Sequence, residues 1–419
     1  MINLNQDTTN IVSRPKKTLF LFGLTTFFFA ISNGIYSYFA PIVITDAGFT
    51  NTEMGLLMAS SSIFGIAFDL LLVKYLKRVD YFRLYLYSLS LVLLFPLFLL
   101  SHNIYILFLL AMALWSLYSN LSAFGYYDFI AREVPKKDHS SSSATLYIYN
   151  DLGYVIAPLI AGTIAITSVW WKDALIPLVT TLLALFSLIT LMRYRKTSNP
   201  RERPIYEHGG GSILSFLKVC KRLWPILVLT MSLNIMESVF WIVSPILDKV
   251  SPLLNGIGGI ILAVSMVPSL FVSWSVGPIT KYFGKKKSAY ASFFLSSFFL
   301  LLIPLTTSPI IIIILVFISN ALQAITFPAM GGAIADYLKE SKSNDIYILS
   351  AKDVFENIGY IVGPLLTGVM LDHTTGLEAF KYLALFGITI SILLLIFSPK
   401  SIPFYDARIS KTVDPTHAT

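Results

Sequence analysis

A single carboxylic acid, Glu237, stands inside a long apolar segment, residues 223–247. A charged carboxylate near the centre of a bilayer costs several kcal/mol unless it is hydrated, paired or protonated. Glu237 therefore either faces a water-filled cavity, where it can load and release a proton, or is a protonated acid that hydrogen-bonds to a neighbouring helix. We expect the cavity arrangement, because intramembrane acids usually mark a pathway for ions or solutes.

Four polar or aromatic residues accompany this acid. Asn234 and Trp241 lie one turn before and one turn after Glu237 on the same predicted helix. An internal repeat with an offset of 204 residues sets Glu237 against Asn33, and Tyr36 follows Asn33 by one turn. Amide and aromatic side chains orient small molecules in largely apolar pockets. We expect these four residues to contact a solute next to Glu237.

The chain repeats one motif at a distance of 206 residues: LGYVIAPLIAG at 152–162 and IGYIVGPLLTG at 358–368. We call this motif the Gly–Pro repeat. Such repeats in apolar segments are typical of membrane proteins built from two similar halves. Its small and bending residues predict tight helix packing, flexing seams between the halves, or both, and we favour flexing. These residues are Gly153, Pro158, Gly162, Gly359, Gly363, Pro364 and Gly368.

The composition predicts a helical membrane protein with many spans. Hydrophobic residues make up 55% of the 419-residue chain, charged residues make up 13%, and the mean hydropathy is +0.72. Soluble domains carry about a quarter charged residues, and a spanning helix needs roughly 20 apolar residues. Apolar runs bounded by charges or turns predict twelve spans: 17–44, 53–73, 82–101, 104–131, 143–168, 174–193, 223–247, 254–276, 288–306, 308–334, 346–371 and 378–398.

The net charge of +8 would suit a nucleic-acid partner, but the positions of the basic residues argue against one. With a cytoplasmic amino terminus and twelve spans, 28 Lys and Arg residues lie on the cytoplasmic side and 3 lie outside. Basic residues near span ends set the orientation of a membrane protein. We therefore expect a multi-pass protein of the cell membrane, embedded in the lipid bilayer, with both termini cytoplasmic and no nucleic acid bound.

Polar stretches divide the chain into two bundles. We expect a cytoplasmic tail at 1–16, a six-helix bundle at 17–194, a cytoplasmic linker at 195–222, a second six-helix bundle at 223–398 and a cytoplasmic tail at 399–419. The lone cysteine excludes an internal disulfide, and the five histidines lie in loops or tails without ligand spacing. We predict no metal site and no cofactor. No nucleophile–base pair stands out either, so we do not expect an enzyme.

The sequence resembles the major facilitator superfamily of secondary transporters over residues 17–398. Two halves of six spans, a long central loop and a basic turn after spans two and eight carry the resemblance. The family's turn follows Gly-x-x-x-Asp-x-x-Gly-basic-basic, and Lys281 here replaces the acid. The Gly–Pro repeat in span five is similar to the family's antiporter motif, whereas the Arg that its proton-coupled drug exporters carry in span four is absent. The turn positions that fit are Gly277, Gly284, Lys285 and Lys286.

The resemblance implies that span five packs near span eight, and span eleven near span two. Lys281 would then approach Asp151, and Lys74 would approach Asp353 or Glu356. We expect these pairs to form a charge-reversed cytoplasmic latch that closes when the cavity opens outward; unpaired, solvated lysines are the alternative. Lys281→Asp should weaken the outward-open state, and adding Asp151→Lys should restore it, as read by accessibility labelling.

The resemblance also implies a function: a secondary active transporter that moves a small solute by alternating access. The sequence has no nucleotide-binding motif, so a gradient must supply the energy, and Glu237 makes protons the expected coupling ion. The span-five motif favours efflux of drug-like or metabolite solutes by a monomeric antiporter. An importer or uniporter of the same fold, for a sugar or organic anion, and a non-transporting receptor or scaffold remain alternatives.

Overall fold

A computed structural model describes residues 5–75, 79–99, 104–135, 138–166, 170–194, 213–250, 257–272, 275–341 and 345–399. Within these ranges the chain is almost entirely helical and has no strand, which confirms the all-α prediction. The helices are α1 Asn5–Asp46, α2 Asn51–Tyr75, α3 Tyr81–Leu99, α4 Tyr105–Glu133, α5 His139–Ile166, α6 Trp170–Tyr194, α7 Ile213–Val250, α8 Gly258–Met266, α9 Ser269–Val272, α10 Val276–Phe283, α11 Lys285–Leu301, α12 Pro309–Ser341, α13 Asp345–His373 and α14 Gly376–Phe397. A 3₁₀ turn, Ile303–Leu305, lies between α11 and α12.

Among the described residues, nine helices are long and apolar enough to cross a membrane. A tenth span results if Gly258–Val272 and Val276–Phe283, bent by 72° relative to each other, cross as one. Helices α2 and α5, with 25 and 28 residues, pack among these spans, so the layout accommodates the twelve predicted spans. Two helices start earlier than the predicted spans: α1 begins at Asn5 and α7 at Ile213. Most of the predicted linker and carboxyl-terminal tail lies outside the described residues.

Helices α1 and α7 form the centre of the bundle. In the most apolar windows of these spans 61% and 78% of residues are buried, against at most 50% in the other spans. The two helices hold equivalent places, because Asn33 of α1 and Glu237 of α7 correspond at the repeat offset. A helix that is apolar on all sides can be surrounded by other helices without burying unpaired charges. Polar residues within these spans, such as Asn33 and Asn234, are therefore buried inside the protein.

In each half, the helix that carries the Gly–Pro repeat packs on the central helix: α5 on α1, and α13 on α7. Gly153 and Gly359 hold the same position in the two copies and make this approach possible. A Cβ atom at Gly153 would lie 2.6 Å from the carbonyl oxygen of Phe27, and one at Gly359 would lie 2.7 Å from that of Met231. Gly363 likewise lies against Ser238 of α7. Larger residues would force these helices apart.

The same two helices also join the halves at one end of the bundle. We call it the distal end, where α2 and α8 begin and α5 and α13 end; the opposite end is proximal. There the carbonyl oxygen of Pro158 lies against Gly259 of α8, and that of Pro364 lies against Gly55 of α2. A prolyl residue inside a helix frees the carbonyl one turn earlier and permits a bend. The two copies of the repeat thus make matching contacts with the opposite half.

These distal contacts extend one turn further along both helices. A Cβ atom at Gly162 would lie 3.0 Å from Cα of Gly259, and Gly368 lies against the backbone carbonyl of Asn51. All seven predicted small and bending residues of the Gly–Pro repeat therefore lie on α5 or α13. These two helices pack closely on the central helices and, at the distal end, on α8 and α2. Whether the seams flex stays a prediction.

Candidate functional site

A cavity of about 690 Å³ lies between the two halves. Helices α1, α2, α4 and α5 line it on one side, and α7, α8, α9, α12 and α13 line it on the other. Its wall combines hydroxyl, amide and aromatic side chains with two carboxylic acids, Asp151 and Glu237. This polar lining, in a bundle that is otherwise apolar, indicates a binding site for a small molecule.

Glu237 lies on the wall of this cavity and is also hydrogen-bonded to a neighbouring helix. The hydroxyl group of Tyr360, on α13, donates to Oε2 of Glu237 over 3.0 Å. The two arrangements considered from the sequence thus occur together. The helix partner comes from the Gly–Pro repeat itself, since Tyr360 directly follows Gly359.

The equivalent place in the other half holds an amide in place of the acid. Tyr118 donates to Oδ1 of Asn33 over 2.7 Å, and Nδ2 of Asn33 donates to the hydroxyl oxygen of Tyr154 over 2.7 Å. Tyr154 and Tyr360 are matching residues of the repeat, as are Asn33 and Glu237. The two halves therefore share one tyrosine-centred arrangement, and the second half places a carboxylic acid where the first has an amide.

The other predicted cavity residues divide into two groups. Trp241 lines the cavity, and its ring meets that of Tyr154 edge-on with centroids 5.9 Å apart. Asn234 is buried against Gly359 and donates to the carbonyl oxygen of Thr230 over 2.8 Å, so it serves the packing of α7 on α13.

Tyr36 also lies away from the cavity. It is buried, and its ring centroid lies 5.1 Å from that of Phe95 on α3. The next residue of α1, Ser37, lines the cavity in its place. One residue along a helix turns the side chain by about 100°, and an all-apolar helix gives no periodic signal to show which face points inward.

Several lining residues were not predicted. Helices α4 and α12 contribute Asn120, Asn320 and Gln323 to the wall. Nδ2 of Asn120 also donates to Oδ1 of Asp69 on α2 over 2.8 Å, which links a second acid to the cavity. The sequence signal for these residues was the presence of amide side chains within apolar runs. An amide without a partner is energetically unfavourable in a membrane, so such residues are expected to line a cavity or to pair.

The first predicted latch pair, Lys281 with Asp151, forms no ion pair among the described residues. Lys281 is exposed on α10 and makes no ion pair with Asp151, whereas Asp151 hydrogen-bonds to Ser269 of α9. Both residues belong to the described part of the chain, and the sequence argument expected their contact only when the cavity opens at the distal end. The Lys281–Asp151 pair therefore stays a prediction.

The second predicted latch pair involves a lysine that the structure describes only in part. Lys74 lies in α2, and its side chain is outside the described residues. Its two predicted partners both lie next to Lys352 of α13: Nζ of Lys352 is 2.6 Å from Oε1 of Glu356 and 3.8 Å from Oδ1 of Asp353. This lysine, one turn before Glu356 in the sequence, was not among the predicted latch residues.

The predicted basic turn joins α10 to α11. Gly284 has φ +83°, a backbone conformation that favours glycine, and it ends α10. Nζ of Lys285 lies 2.6 Å from Oδ2 of Asp336 on α12, and Nζ of Lys286 donates to the carbonyl oxygen of Pro399 over 3.0 Å. Gly277, in contrast, has open space around it. The turn thus fastens three elements of the second half together at the proximal end.

At the distal end, the first turn of α2 is capped partly by the opposite half. Thr50 and Glu53 cap each other's backbone amides within α2, at 2.8 and 3.2 Å. The two amides between them, of Asn51 and Thr52, donate to the carboxylate of Asp372 on α13, at 3.0 and 2.9 Å. Side-chain groups of both residues donate to the same carboxylate. Because an acid suits the positive end of a helix, this contact favours distal closure.

At the proximal end, several polar side chains of the two halves are exposed. Tyr127 of α4 and Tyr147 of α5 are 64% and 51% exposed. On the other half, the side chain of Asp353 is 67% exposed. It lies near enough to Asp69 of α2 for the two acids to interact electrostatically. Like charges on facing helices oppose a closer approach of the halves at this end, whereas the distal end has the close contacts described above.

Comparisons with known proteins agree with this architecture. Solved structures similar to the chain include the nucleoside transporter NupG, with 13% identity, a TM-score of 0.68, and 92% of this chain and 100% of that chain covered. A POT family transporter in complex with a thioalcohol-conjugated peptide gives 14% identity, a TM-score of 0.72, and coverage of 91% and 96%. A bacterial homologue of the human lysosomal transporter Spinster, in an inward-facing and unoccupied conformation, has 13% identity and a TM-score of 0.62, with 91% of this chain and 95% of that chain covered.

The sequence itself is matched at the level of a family. No curated protein sequence matches the chain. The profile of the Major Facilitator Superfamily matches residues 22–251 and again residues 226–412. The two matches cover both halves of the repeat and nearly the whole chain. This protein belongs to the Major Facilitator Superfamily of membrane transporters.

Proposed function

We propose that the protein is a proton-coupled secondary transporter of the cell membrane. It binds one small solute in the cavity between its halves and exposes that solute to the two sides of the membrane in turn. The observation that carries this proposal is the position of Glu237: an acid on the cavity wall, hydrogen-bonded to a helix of the Gly–Pro repeat. Protonation of that acid can then alter the contact between α7 and α13.

The asymmetry between the halves supports coupling through this residue. Asn33 and Tyr154 form the corresponding contact in the first half, and an amide does not change its protonation state at physiological pH. A change of protonation at Glu237 acts on one half only, against a scaffold that is otherwise matched. A two-state equilibrium shifts when one state binds the proton more tightly than the other.

The orientation follows from the distribution of basic residues. With 28 Lys and Arg residues assigned to the cytoplasmic side and 3 to the outside, both termini are cytoplasmic and the distal seal faces outward. We infer that the present conformation is open to the cytoplasm, because the close contacts between the halves lie at the distal end. The predicted division into bundles at 17–194 and 223–398, joined by the linker 195–222, supplies two bodies that rock relative to each other.

We favour efflux of drug-like or metabolite solutes by exchange for protons, because the span-five copy of the Gly–Pro repeat is similar to an antiporter motif. Import is the second candidate. The hydroxyl and amide groups that line much of the cavity favour it, since they suit a polar solute such as a sugar. Both candidates use the same cavity and differ in the direction of the proton relative to the solute.

Proteoliposomes that contain a pH-sensitive dye test the function directly. We expect a transported solute to produce a pH change inside the vesicles, with the sign of exchange for efflux and the opposite sign for proton-driven import. A protonophore should remove the signal, and protein-free vesicles should not produce it. Solute flux without any pH change would contradict proton coupling, and the absence of flux across a broad solute panel would contradict transport.

Removal of the distal cap should open the cavity to the outside more often. Asp372→Ala deletes the acceptor for two amides of α2, and loss of a helix cap costs about 1 kcal/mol, or roughly fivefold in population. We expect a maleimide added from outside to label Ser61→Cys on the cavity wall about that much faster, in a Cys220→Ser background. Thr50→Ala is the matched control, because it removes a cap of the same helix without crossing between the halves. Equal labelling rates in the two variants would contradict the role of Asp372.

A further inference from the structure

The described wall of the cavity is acidic, with no compensating base. Asp151 and Glu237 lie on it, and none of its described lining residues is a lysine, arginine or histidine. The lysine of α13, Lys352, lies towards the proximal end and is paired with Glu356. An anion entering this space would meet two carboxyl groups and no positive partner.

The two acids come from opposite halves and have different neighbours. Glu237 of α7 accepts a hydrogen bond from a tyrosine of the adjacent helix. Asp151 of α5 has the hydroxyl group of Ser269 as its hydrogen-bonding neighbour, and that hydroxyl group also donates to the carbonyl oxygen of Met266 over 2.7 Å. Glu237 is therefore held in place, while Asp151 keeps acceptor capacity for a ligand, since an ionised carboxylate has about four acceptor sites.

Aromatic rings lie beside both acids. Tyr154 is on α5 one turn after Asp151, interacts electrostatically with Asp151 and Glu237, and meets Trp241 edge-on. The faces of electron-rich rings attract cations, most strongly when water is excluded. An acid next to an aromatic pair is a combination that recognises a positive charge attached to a ring or another apolar group.

Building on the function proposed above, we propose that this cavity selects organic cations, with Asp151 as the counter-ion of the solute's ammonium group. Glu237 carries the proton, and Asp151 determines which charge class of solute binds. The division of labour follows from the contacts: the acid with a fixed partner reports protonation to α13, and the acid with a hydroxyl partner pairs with the solute. A solute between α5 and α7 also touches both halves, so its binding bears on their relative position.

Three probes of one skeleton test this inference: tyramine, its neutral analogue tyrosol and its acidic analogue 4-hydroxyphenylacetate. Their affinities for the purified full-length protein would be measured by titration calorimetry. We expect tyramine to bind about fivefold more tightly than tyrosol, the upper factor for one partly exposed ion pair, and 4-hydroxyphenylacetate to bind more weakly than both.

Asp151→Asn should bring tyramine to within about twofold of tyrosol, since the charge preference is lost. Tyrosol binding should not change, which also shows that the variant is folded. Asp80→Asn, which removes an acid at the start of α3 outside the cavity, should preserve the preference for tyramine. The inference fails if the anion binds best, if none of the probes binds, or if Asp151→Asn retains the preference for the cation.

The outcome also separates this inference from the proposed function. If a neutral or anionic solute gives flux with a pH signal in proteoliposomes, proton-coupled transport stands and selection of cations falls. If tyramine binds with the expected preference and no solute of any charge is moved, the cation site stands and transport falls.

Discussion

Glu237→Gln should abolish proton-driven accumulation of solute, lowering it by about two orders of magnitude, the factor typical of losing a proton-transferring side chain. Glutamine has the shape of the protonated acid and can still accept a hydrogen bond from Tyr360, so the contact between α7 and α13 is preserved. The variant cannot release a proton, however. Solute movement should therefore proceed without the pH gradient, and the pH signal in proteoliposomes should disappear.

The control for this variant is an exchange assay that needs no net proton movement. Vesicles loaded with unlabelled solute should still take up labelled solute through Glu237→Gln, because binding and the rocking motion are intact. Glu237→Asp, which keeps an acid on a shorter side chain, should retain part of the coupling. If accumulation by Glu237→Gln keeps the proton dependence of the unaltered protein, coupling through this residue is excluded.

The effect expected for Glu237→Gln reflects an asymmetry between the halves. Asn33 occupies the place of Glu237 in the first half, with Tyr154 in the place of Tyr360. The scaffold was duplicated and one copy carries the acid, so chemistry and mechanics are distributed differently over the same framework. In this view the mismatched pair Asn33 and Glu237 matters more for coupling than the residues that the copies share.

Much of the architecture could be predicted from the sequence because it depends on long, strongly patterned segments. Apolar runs of spanning length and the repeat at a constant offset are one-dimensional signals, and the helical fold follows from them. The position of Glu237 on the cavity wall could also be anticipated, because an acid within an apolar span is expected to face a cavity. Trp241 lies one turn away on the same helix and was expected on the same wall. The small residues of the Gly–Pro repeat likewise predicted the close helix contacts at which they lie.

The rest depended on contacts between distant residues. Asp372 and the start of α2 are separated by 321 positions, and no local feature of either segment predicts their meeting. Tyr36 and Asn234 were placed in the cavity because they neighbour Asn33 and Glu237 in sequence. The inward face of an all-apolar helix has no periodic signal, and packing against Phe95 and Gly359 decided their positions.

Substitution of the two seam glycines should have the largest conformational effect. Gly55 and Gly259 each lie against a prolyl carbonyl of the opposite half, and a side chain at either position would overlap backbone atoms that cannot move separately. Gly55→Val together with Gly259→Val should therefore disfavour the distally closed state. Overpacking typically costs about 1–3 kcal/mol, which corresponds to roughly 5- to 150-fold in the population of a state.

The double variant is measured with the same cysteine reporter, Ser61→Cys in a Cys220→Ser background. Labelling from outside should accelerate at least tenfold, near the middle of that range, and transport should fall because the cycle can no longer return to the cytoplasm-open state. Gly331→Val is the matched control: it introduces the same side chain into α12, at a glycine with open space around it, and should leave both quantities unchanged. If the double variant labels as slowly as the unaltered protein while transport continues, the distal seam is not the contact that opens. The Gly–Pro repeat would then hold the halves together without flexing, and the moving surface would have to lie elsewhere between them.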